Sequence, residues 1–132
     1  MTNKTIFVFG SNEAGHHLGG AALVAYERHG ARWCKSYGHY GDSFAIPTKD
    51  RDISKALPLK TIRKYVDGFL AYAWSHPEWT FKVTRIGCGL AGLKDEDMSF
   101  MFMWGPTNLE FDEAWKPFME DGIHKPKFWG TF

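Results

Sequence analysis

The chain has 132 residues, the size of one ordinary domain. Apolar residues make up 44% of the sequence and aromatic residues 17%, which is enough to bury a core without disulfides or a structural metal. The net charge is only +1, whereas domains that bind through nucleic-acid phosphates are strongly basic. We therefore expect no extended nucleic acid as a partner.

Neither a membrane span nor a secretory leader is predicted. No apolar run approaches the roughly 18 residues that cross a bilayer, and residues 1–5 show no signal-peptide pattern. Two cysteines, Cys34 and Cys88, are too few for a disulfide framework, so we interpret both as thiols in a reducing compartment. We expect a single domain over residues 1–132, located in the cytoplasm and without a membrane partner.

The first half of the chain predicts two strands around a helix. A continuous apolar run over residues 5–9 is typical of a strand that is buried on both faces. A glycine-rich passage leads from it into helix-forming residues over 21–29, which stop at Gly30. Residues 33–43 predict loops or a hairpin, and a second strand is predicted over 43–46.

The second half predicts a long amphipathic helix, a third strand and a shorter helix. Apolar residues recur at helical spacing over 59–75, with charged residues on the other face. A strand over 81–86 runs into a second glycine-rich loop, and Asp95 is predicted to be the N-cap of a helix over 96–104. We interpret residues 105–132 as an aromatic-rich C-terminal extension.

This alternation of strands and helices predicts an α/β fold in three layers, with a mixed, mostly parallel central sheet between helices. Ligands of such sheets bind at the carboxyl ends of the strands. Glycine and polar residues stand at all three predicted ends, over residues 10–12, 47–50 and 87–92. We therefore expect the site at this edge of the sheet.

Two glycine-rich loops, each between a strand and a helix, favour a diphosphate ligand. Glycine lets the backbone approach a ligand closely, and the amides at the start of the following helix can hold an anion. Gly19-Gly20 before the first helix and Gly87–Gly92 before the last could hold one diphosphate from two sides. For either loop taken alone, the alternative is a structural role in a tight turn.

Two other nucleotide patterns are set aside. Gly87-x-Gly89-x-x-Gly92, with Glu110 about 20 residues further on, matches the dinucleotide-binding pattern. That pattern needs a second strand about 30 residues after the first, and residues 105–132 predict none. The sequence lacks G-x-x-x-x-G-K-[ST], which disfavours a nucleoside-triphosphate hydrolase.

Four segments carry a family resemblance: Ile6–Asn12, Gly19–Ala22, Ala45–Asp50 and Thr84–Gly92. In this order they resemble the macrodomain family, and most closely its phage-encoded macro-like branch. They are also similar to the cellular branch that removes ADP-ribose from acidic side chains through a lysine. The resemblance covers about residues 5–104, and its most specific part runs from the arginine of the fourth segment to the leucine five residues later.

The resemblance implies a macrodomain-like α/β/α fold and a ligand that is ADP-ribose or a nucleotide derived from it. It places Asn12 near the distal ribose. We predict no cofactor and no metal. The residues assigned to ligand binding are Gly10, Ser11, Asn12, Gly19, Gly20, Ala21, Thr48, Gly87, Cys88, Gly89, Leu90, Ala91 and Gly92.

The resemblance also implies a candidate reaction. Lys49 stands where the cellular branch has the lysine that attacks the anomeric carbon of the ribose, which would hydrolyse an ADP-ribosyl or ADP-ribose-1″-phosphate bond. That branch has an aspartate directly after its Gly-Leu pair, and this chain has Ala91 there. Asp95 is therefore the predicted assisting carboxylate, and Asp50 is a further candidate. The usual acidic residue for the adenine is also missing, which leaves the base open.

Three other features have structural interpretations. Cys88 has no histidine near it in sequence, so we interpret its thiol as a small buried group rather than a nucleophile. The pair His16-His17 has no cluster of cysteine, aspartate or glutamate residues at ligand spacing, which favours a role in the loop over metal binding. The aromatic residues of the extension are interpreted as core, with a base-stacking wall or a self-association surface as alternatives.

Three functions stand as hypotheses. The first is a phage-type, ADP-ribose-binding protein, with hydrolase activity left open. The second is a non-enzymatic phage sponge for a defence signalling nucleotide, either a cyclic ADP-ribose isomer or a cyclic oligonucleotide, and Ala91 favours it. The third is a protein-interaction module that uses the aromatic extension. A homo-oligomer is compatible with all three.

Overall fold

A six-stranded sheet forms the centre of the molecule in the computed structural model, which describes residues 3–132. The strand order is β2-β3-β1-β4-β5-β6, and every neighbouring pair is parallel except β2 with β3. The sheet is therefore mixed and mostly parallel, as predicted. The strands are β1 Thr5–Asn12, β2 Gly38–Tyr40, β3 Ser43–Lys49, β4 Thr80–Val83, β5 Leu109–Asp112 and β6 Lys127–Gly130.

Helices lie on both faces of the sheet. The first helix packs against one face with an alanine-rich side, and the long second helix packs against the other with bulkier apolar side chains. A short 3-10 turn over Glu113–Trp115 precedes the last helix. The helices are α1 Gly20–Arg28, α2 Leu59–Trp74, α3 Asp95–Phe100 and α4 Lys116–Met119.

The central strand β1 shows why its apolar run is continuous. Its successive side chains point to opposite faces, so that Ile6 and Val8 join the larger core while Phe7 and Phe9 join the smaller one. All four are almost completely buried. A strand between two parallel neighbours and two helical layers has no solvent face at its centre, and the positions from Ile6 to Phe9 are all apolar for that reason.

The segment predicted as loops or a hairpin forms a hairpin, in which β2 pairs antiparallel with β3. The predicted third strand is too long, since β4 ends at Val83. Both the amide and the hydroxyl of Thr84 donate to the Val8 carbonyl, at 3.0 and 2.8 Å, and the chain then turns through the second glycine loop.

The helix predicted over 96–104 is also shorter, because α3 ends at Phe100 and tight turns follow. Asp95 is not its N-cap. Lys94 occupies that position, while the Asp95 carboxylate accepts hydrogen bonds from Arg85 and Trp115 instead of from the helix amides.

The C-terminal segment is an integral part of the sheet rather than an extension. It supplies β5 and β6, and β5 begins about 30 residues after β4 and pairs with it in parallel. The reason given for setting aside the dinucleotide pattern was therefore wrong. The geometry still differs from that pattern, because α3 begins at Asp95, beyond the glycine loop, and not within it. Of the aromatic residues in 105–132, Phe111 and Trp115 are core as predicted, whereas Phe118 and Phe132 are exposed.

Within residues 3–132, none of the helices combines the length and the apolar character that crossing a membrane requires. The expectation about the N-terminus includes Met1 and Thr2, which lie outside the described residues.

Candidate functional site

A cleft of about 580 Å³ opens at the carboxyl edge of the sheet. Its lining includes most of the residues predicted for ligand binding, namely 10–12, 19–21, 48, 87 and 89–91, together with Lys49. Three predicted residues are not part of the described lining: Cys88, Gly92 and Asp95. The cleft therefore opens at the edge where the sequence predicts a site, while Cys88, Gly92 and Asp95 need a separate account.

The first loop is held in place by the side chain of Asn12. Its Nδ2 donates to the carbonyl oxygen of His16 at 2.8 Å, and its Oδ1 accepts from the His16 amide at 3.0 Å. The amide group of Asn12 thus closes the turn that leads into α1. Although Asn12 lines the cleft as predicted, its side chain is already committed to the loop.

The start of α1 provides backbone donors to the cleft. The first amides of an α-helix have no acceptor within the helix. The N-cap residue of α1 is Gly19, and a glycine has no side chain that could accept hydrogen bonds from these amides. Residues 19–22 line the cleft. These amides and the positive end of the helix dipole are suited to bind an anion.

The second loop approaches the end of β1 closely, and a side chain at Gly10 or Gly87 would crowd its neighbours. A Cβ at Gly87, whose φ is +78°, would lie 2.9 Å from Leu93 Cδ1. A Cβ at Gly10 would lie 3.3 Å from the Gly87 amide nitrogen. Glycine at these two positions lets the two backbones meet at the base of the cleft.

The two glycine loops converge on the same space. A Cβ at Gly19 would contact Leu90 Cδ1 at 3.7 Å, and both residues line the cleft. This convergence follows from the topology, because β1 and β4 are parallel neighbours and their carboxyl ends lie side by side. Backbone groups of two separate turns are therefore available to a single ligand.

An ion pair lies next to the second loop. Arg85 Nε and Nη2 donate to the two oxygens of Asp95 at 2.5 and 2.6 Å, and Trp115 Nε1 donates to Asp95 Oδ1 at 3.0 Å. The Arg85 guanidinium holds the pKa of Asp95 below its usual value. Asp95 is therefore a charged acceptor for Arg85 and Trp115, whereas Arg85 itself lines the cleft.

Cys88 has the environment of an unreactive thiol. It is half-buried, its Sγ lies 3.5 Å from the Ile86 carbonyl oxygen, and burial raises the pKa of the thiol to about 12. Since the thiolate is the nucleophilic form, only about one thiol in ten thousand is reactive at pH 8. These observations agree with the structural interpretation of Cys88.

We therefore expect iodoacetamide at pH 8 to alkylate the folded protein once, at the exposed Cys34, and to leave Cys88 unmodified. Peptide mass spectrometry after a short reaction would locate the adduct, and the urea-unfolded protein should be alkylated at both cysteines. Equal modification of both residues in the folded state would show that Cys88 is an activated thiol.

Lys49 lies in the cleft at the end of β3, beside a tight loop. The neighbouring carboxylate, Asp50, accepts hydrogen bonds from the Ser54 amide at 3.0 Å and the Lys55 amide at 3.3 Å. These bonds to the backbone lower the pKa of Asp50. Asp50 therefore organises the loop, since its Oδ1 is engaged with the backbone and its Oδ2 accepts from the Ser54 hydroxyl at 3.4 Å.

The C-terminal segment contributes residues that the sequence analysis missed. Asp112 is buried at the end of β5, where its Oδ1 accepts from the Ala114 amide at 2.9 Å and its Oδ2 from Thr131 Oγ1 at 2.8 Å. These three residues and Phe132 line the cleft. The signal was the alternation of apolar and acidic residues over 109–112, which is typical of a short strand.

The histidine pair belongs to the first loop. His17 is buried and its Nε2 is bonded to the Arg32 carbonyl oxygen at 2.8 Å, while His16 stacks on Trp33. No group of three or more histidine, cysteine or acidic side chains is positioned to hold a metal ion anywhere between residues 3 and 132.

The chain matches no protein-family model and no curated protein sequence. Its fold is that of an α/β protein with a cleft lined by two glycine loops at the carboxyl edge of the sheet.

Proposed function

We propose that the cleft binds ADP-ribose or a nucleotide derived from it, as the resemblance to macrodomains implies. The observation that carries the proposal is the convergence of residues 19–21 with residues 87, 89 and 90 on one cavity at the carboxyl edge. A diphosphate needs several donors from more than one direction, and backbone amides of two loops beside a helix N-terminus supply them.

The layout of the cleft suits a ligand with a central diphosphate and a group at each end. The glycine loops follow β1 and β4, the two middle strands, while Lys49 ends β3 and Asp112 ends β5. Neighbouring strands are about 4.8 Å apart, so the ends of β3 and β5 lie about 14 Å from each other. In this proposal the distal ribose lies towards Lys49 and the base towards Asp112 and Phe132.

The charges along the cleft fit this direction. The diphosphate would lie beside the Lys49 cation, whose charge attracts an anion, whereas the Arg85 guanidinium also lines the cleft but is paired with Asp95. At the other end, Asp112 accepts from the Ala114 amide and from Thr131 Oγ1, and only the remaining lone pairs of its carboxylate can accept from a base or a ribose. Phe132 offers an exposed ring there for stacking.

Hydrolysis is a second step of the proposal and depends on Lys49. The neutral amine would attack the anomeric carbon, the carboxylate or phosphate would leave, and water would release ADP-ribose from the lysine. Ala91 provides no acid at the assisting position, and Asp95 is engaged with Arg85 and Trp115. The residues therefore support binding more strongly than turnover.

Calorimetric titration with ADP-ribose tests the binding proposal. We expect a saturable signal for the wild type and for Lys64→Ala, a control on the exposed face of α2. No heat at millimolar ADP-ribose would overturn the proposal.

For hydrolysis, we expect Lys49→Ala to reduce any turnover of ADP-ribosylated protein or ADP-ribose-1″-phosphate at least about 100-fold, because the variant lacks the nucleophile. Release of product followed by chromatography provides the measurement, with Lys64→Ala again as the control. Equal turnover by Lys49→Ala and the wild type would exclude Lys49 as the nucleophile.

The non-enzymatic sponge remains the second candidate, because Ala91 and the committed Asp95 leave Lys49 without an assisting carboxylate in the part of the cleft that the structure describes. A cyclic ADP-ribose isomer has the same diphosphate. Tight binding followed by recovery of the unchanged ligand after denaturation would favour the sponge, and product formation would favour the enzyme.

A further inference from the structure

Ile53 has a backbone conformation that its side chain disfavours. Its φ is +60°, in the left-handed region, where a β-branched residue is a marked outlier. Turn positions of this kind are normally occupied by glycine or asparagine, which adopt the conformation with little strain. An isoleucine at such a position has to be explained by what its side chain contacts.

The loop around Ile53 is closed by hydrogen bonds that impose this conformation. The Ile53 amide donates to the Asp50 carbonyl oxygen at 3.0 Å, and the Asp50 amide donates to the Lys55 carbonyl oxygen at 2.9 Å. The Asp50 carboxylate accepts from the amides of Ser54 and Lys55. These hydrogen bonds define the backbone of the loop without the Ile53 side chain, so a glycine at position 53 could form them as well.

The side chain of Ile53 lies at one end of the cleft. It is half-buried and lines the cavity together with Thr48 and Lys49. A β-bridge between Lys49 and Ala56 ties the far side of the loop back to β3. The position of the isoleucine is therefore fixed relative to Lys49, at the end where the proposed function places the distal ribose.

We propose that Ile53 is a specificity-determining residue, an apolar wall that contacts the part of the ligand beyond the diphosphate. This inference rests on the proposed function, because it takes the orientation of ADP-ribose from it. The wall distinguishes ADP-ribose from ADP, which has the same base and diphosphate but no distal ribose. A strained isoleucine is retained because glycine at this position would leave the ribose without its apolar contact.

The test compares the affinities of ADP-ribose and ADP by calorimetry in the wild type, Ile53→Gly and Ile53→Val. Ile53→Gly should weaken the binding of ADP-ribose about tenfold and leave the affinity for ADP unchanged, because only ADP-ribose reaches residue 53. Ile53→Val keeps a branched side chain and should restore the affinity for ADP-ribose to within about threefold of the wild type. Unchanged binding of ADP also shows that Ile53→Gly is folded.

Cys34 offers a matched control. Its φ is +68°, it is exposed, and it is outside the described lining of the cleft. Cys34→Gly relieves the same kind of backbone strain and should change neither affinity.

An equal loss of ADP and ADP-ribose binding in Ile53→Gly would reveal a structural role, and no loss of either would show that the wall makes no contact. Either result overturns this inference while the proposed function stands. Wild-type protein that binds ADP as tightly as ADP-ribose would also overturn it. Wild-type protein that binds neither would overturn the proposed function, and this inference with it.

Discussion

Gly89→Leu is expected to weaken ADP-ribose binding at least about 100-fold, or about 2.7 kcal/mol, and to leave the melting temperature within about 2 °C of the wild type. Gly89 lines the cleft, its φ lies outside the left-handed region, and a Cβ built there meets no atom within 4 Å among the described residues. A leucine side chain therefore fits the fold but occupies space that the ligand needs. Calorimetry and thermal unfolding measure the two effects.

Gly89→Ala is the graded control for this variant, because one methyl group fills much less of the cleft and should weaken binding by less than about tenfold. Gly87→Ala is the contrasting case. Its Cβ would lie 2.9 Å from Leu93 Cδ1 on a left-handed backbone, so this variant should lose stability as well as affinity. Wild-type affinity in Gly89→Leu would show that the second loop does not contact the ligand.

Trp115→Ala is expected to lower the free energy of unfolding by about 3–5 kcal/mol, measured by urea denaturation. The indole is completely buried, packs against the rings of Phe102 and Phe111, and donates to Asp95. The substitution removes the largest of the fully buried side chains and leaves a cavity beside the Arg85–Asp95 pair. A loss of less than about 1 kcal/mol would contradict this account of the core.

Two further substitutions separate packing from hydrogen bonding. Trp115→Phe retains most of the ring but removes the donor to Asp95, and it should cost about 1–3 kcal/mol. Trp74→Ala removes the same side chain from an exposed position at the end of α2, and it should stay within about 0.5 kcal/mol of the wild type.

The centre of the fold was predictable because its signals are local. The apolar run of β1 and the periodic pattern of α2 each depend on residues within a few positions of one another. The edge of the sheet at which the cleft opens was predictable as well, because parallel strands bring their carboxyl ends together and glycine loops follow those ends. Lys49 lines the cleft because it ends a buried strand at that edge.

What could not be predicted depends on distant partners or on backbone angles. The position of Asp95 near the start of a helix predicts an N-cap. Its actual hydrogen-bond donors, Arg85 and Trp115, lie 10 and 20 residues away in the sequence. The strands β5 and β6 have only four residues each, so the alternation in β5 was a weak signal and β6 carried no clear pattern. The conformation of Ile53 is contrary to its residue type, so no propensity indicates it.

The bond between Thr131 and Asp112 has a consequence for biosynthesis. The glycine loops emerge from the ribosome with the first four strands, but the wall around Asp112 is complete only when β6 has docked beside β5. A nascent chain that has been translated only through β4 therefore lacks the end of the cleft that contains Asp112. Under the proposed function, bound nucleotide would stabilise chains in which β6 is docked beside β5 and would reduce fraying of this edge strand.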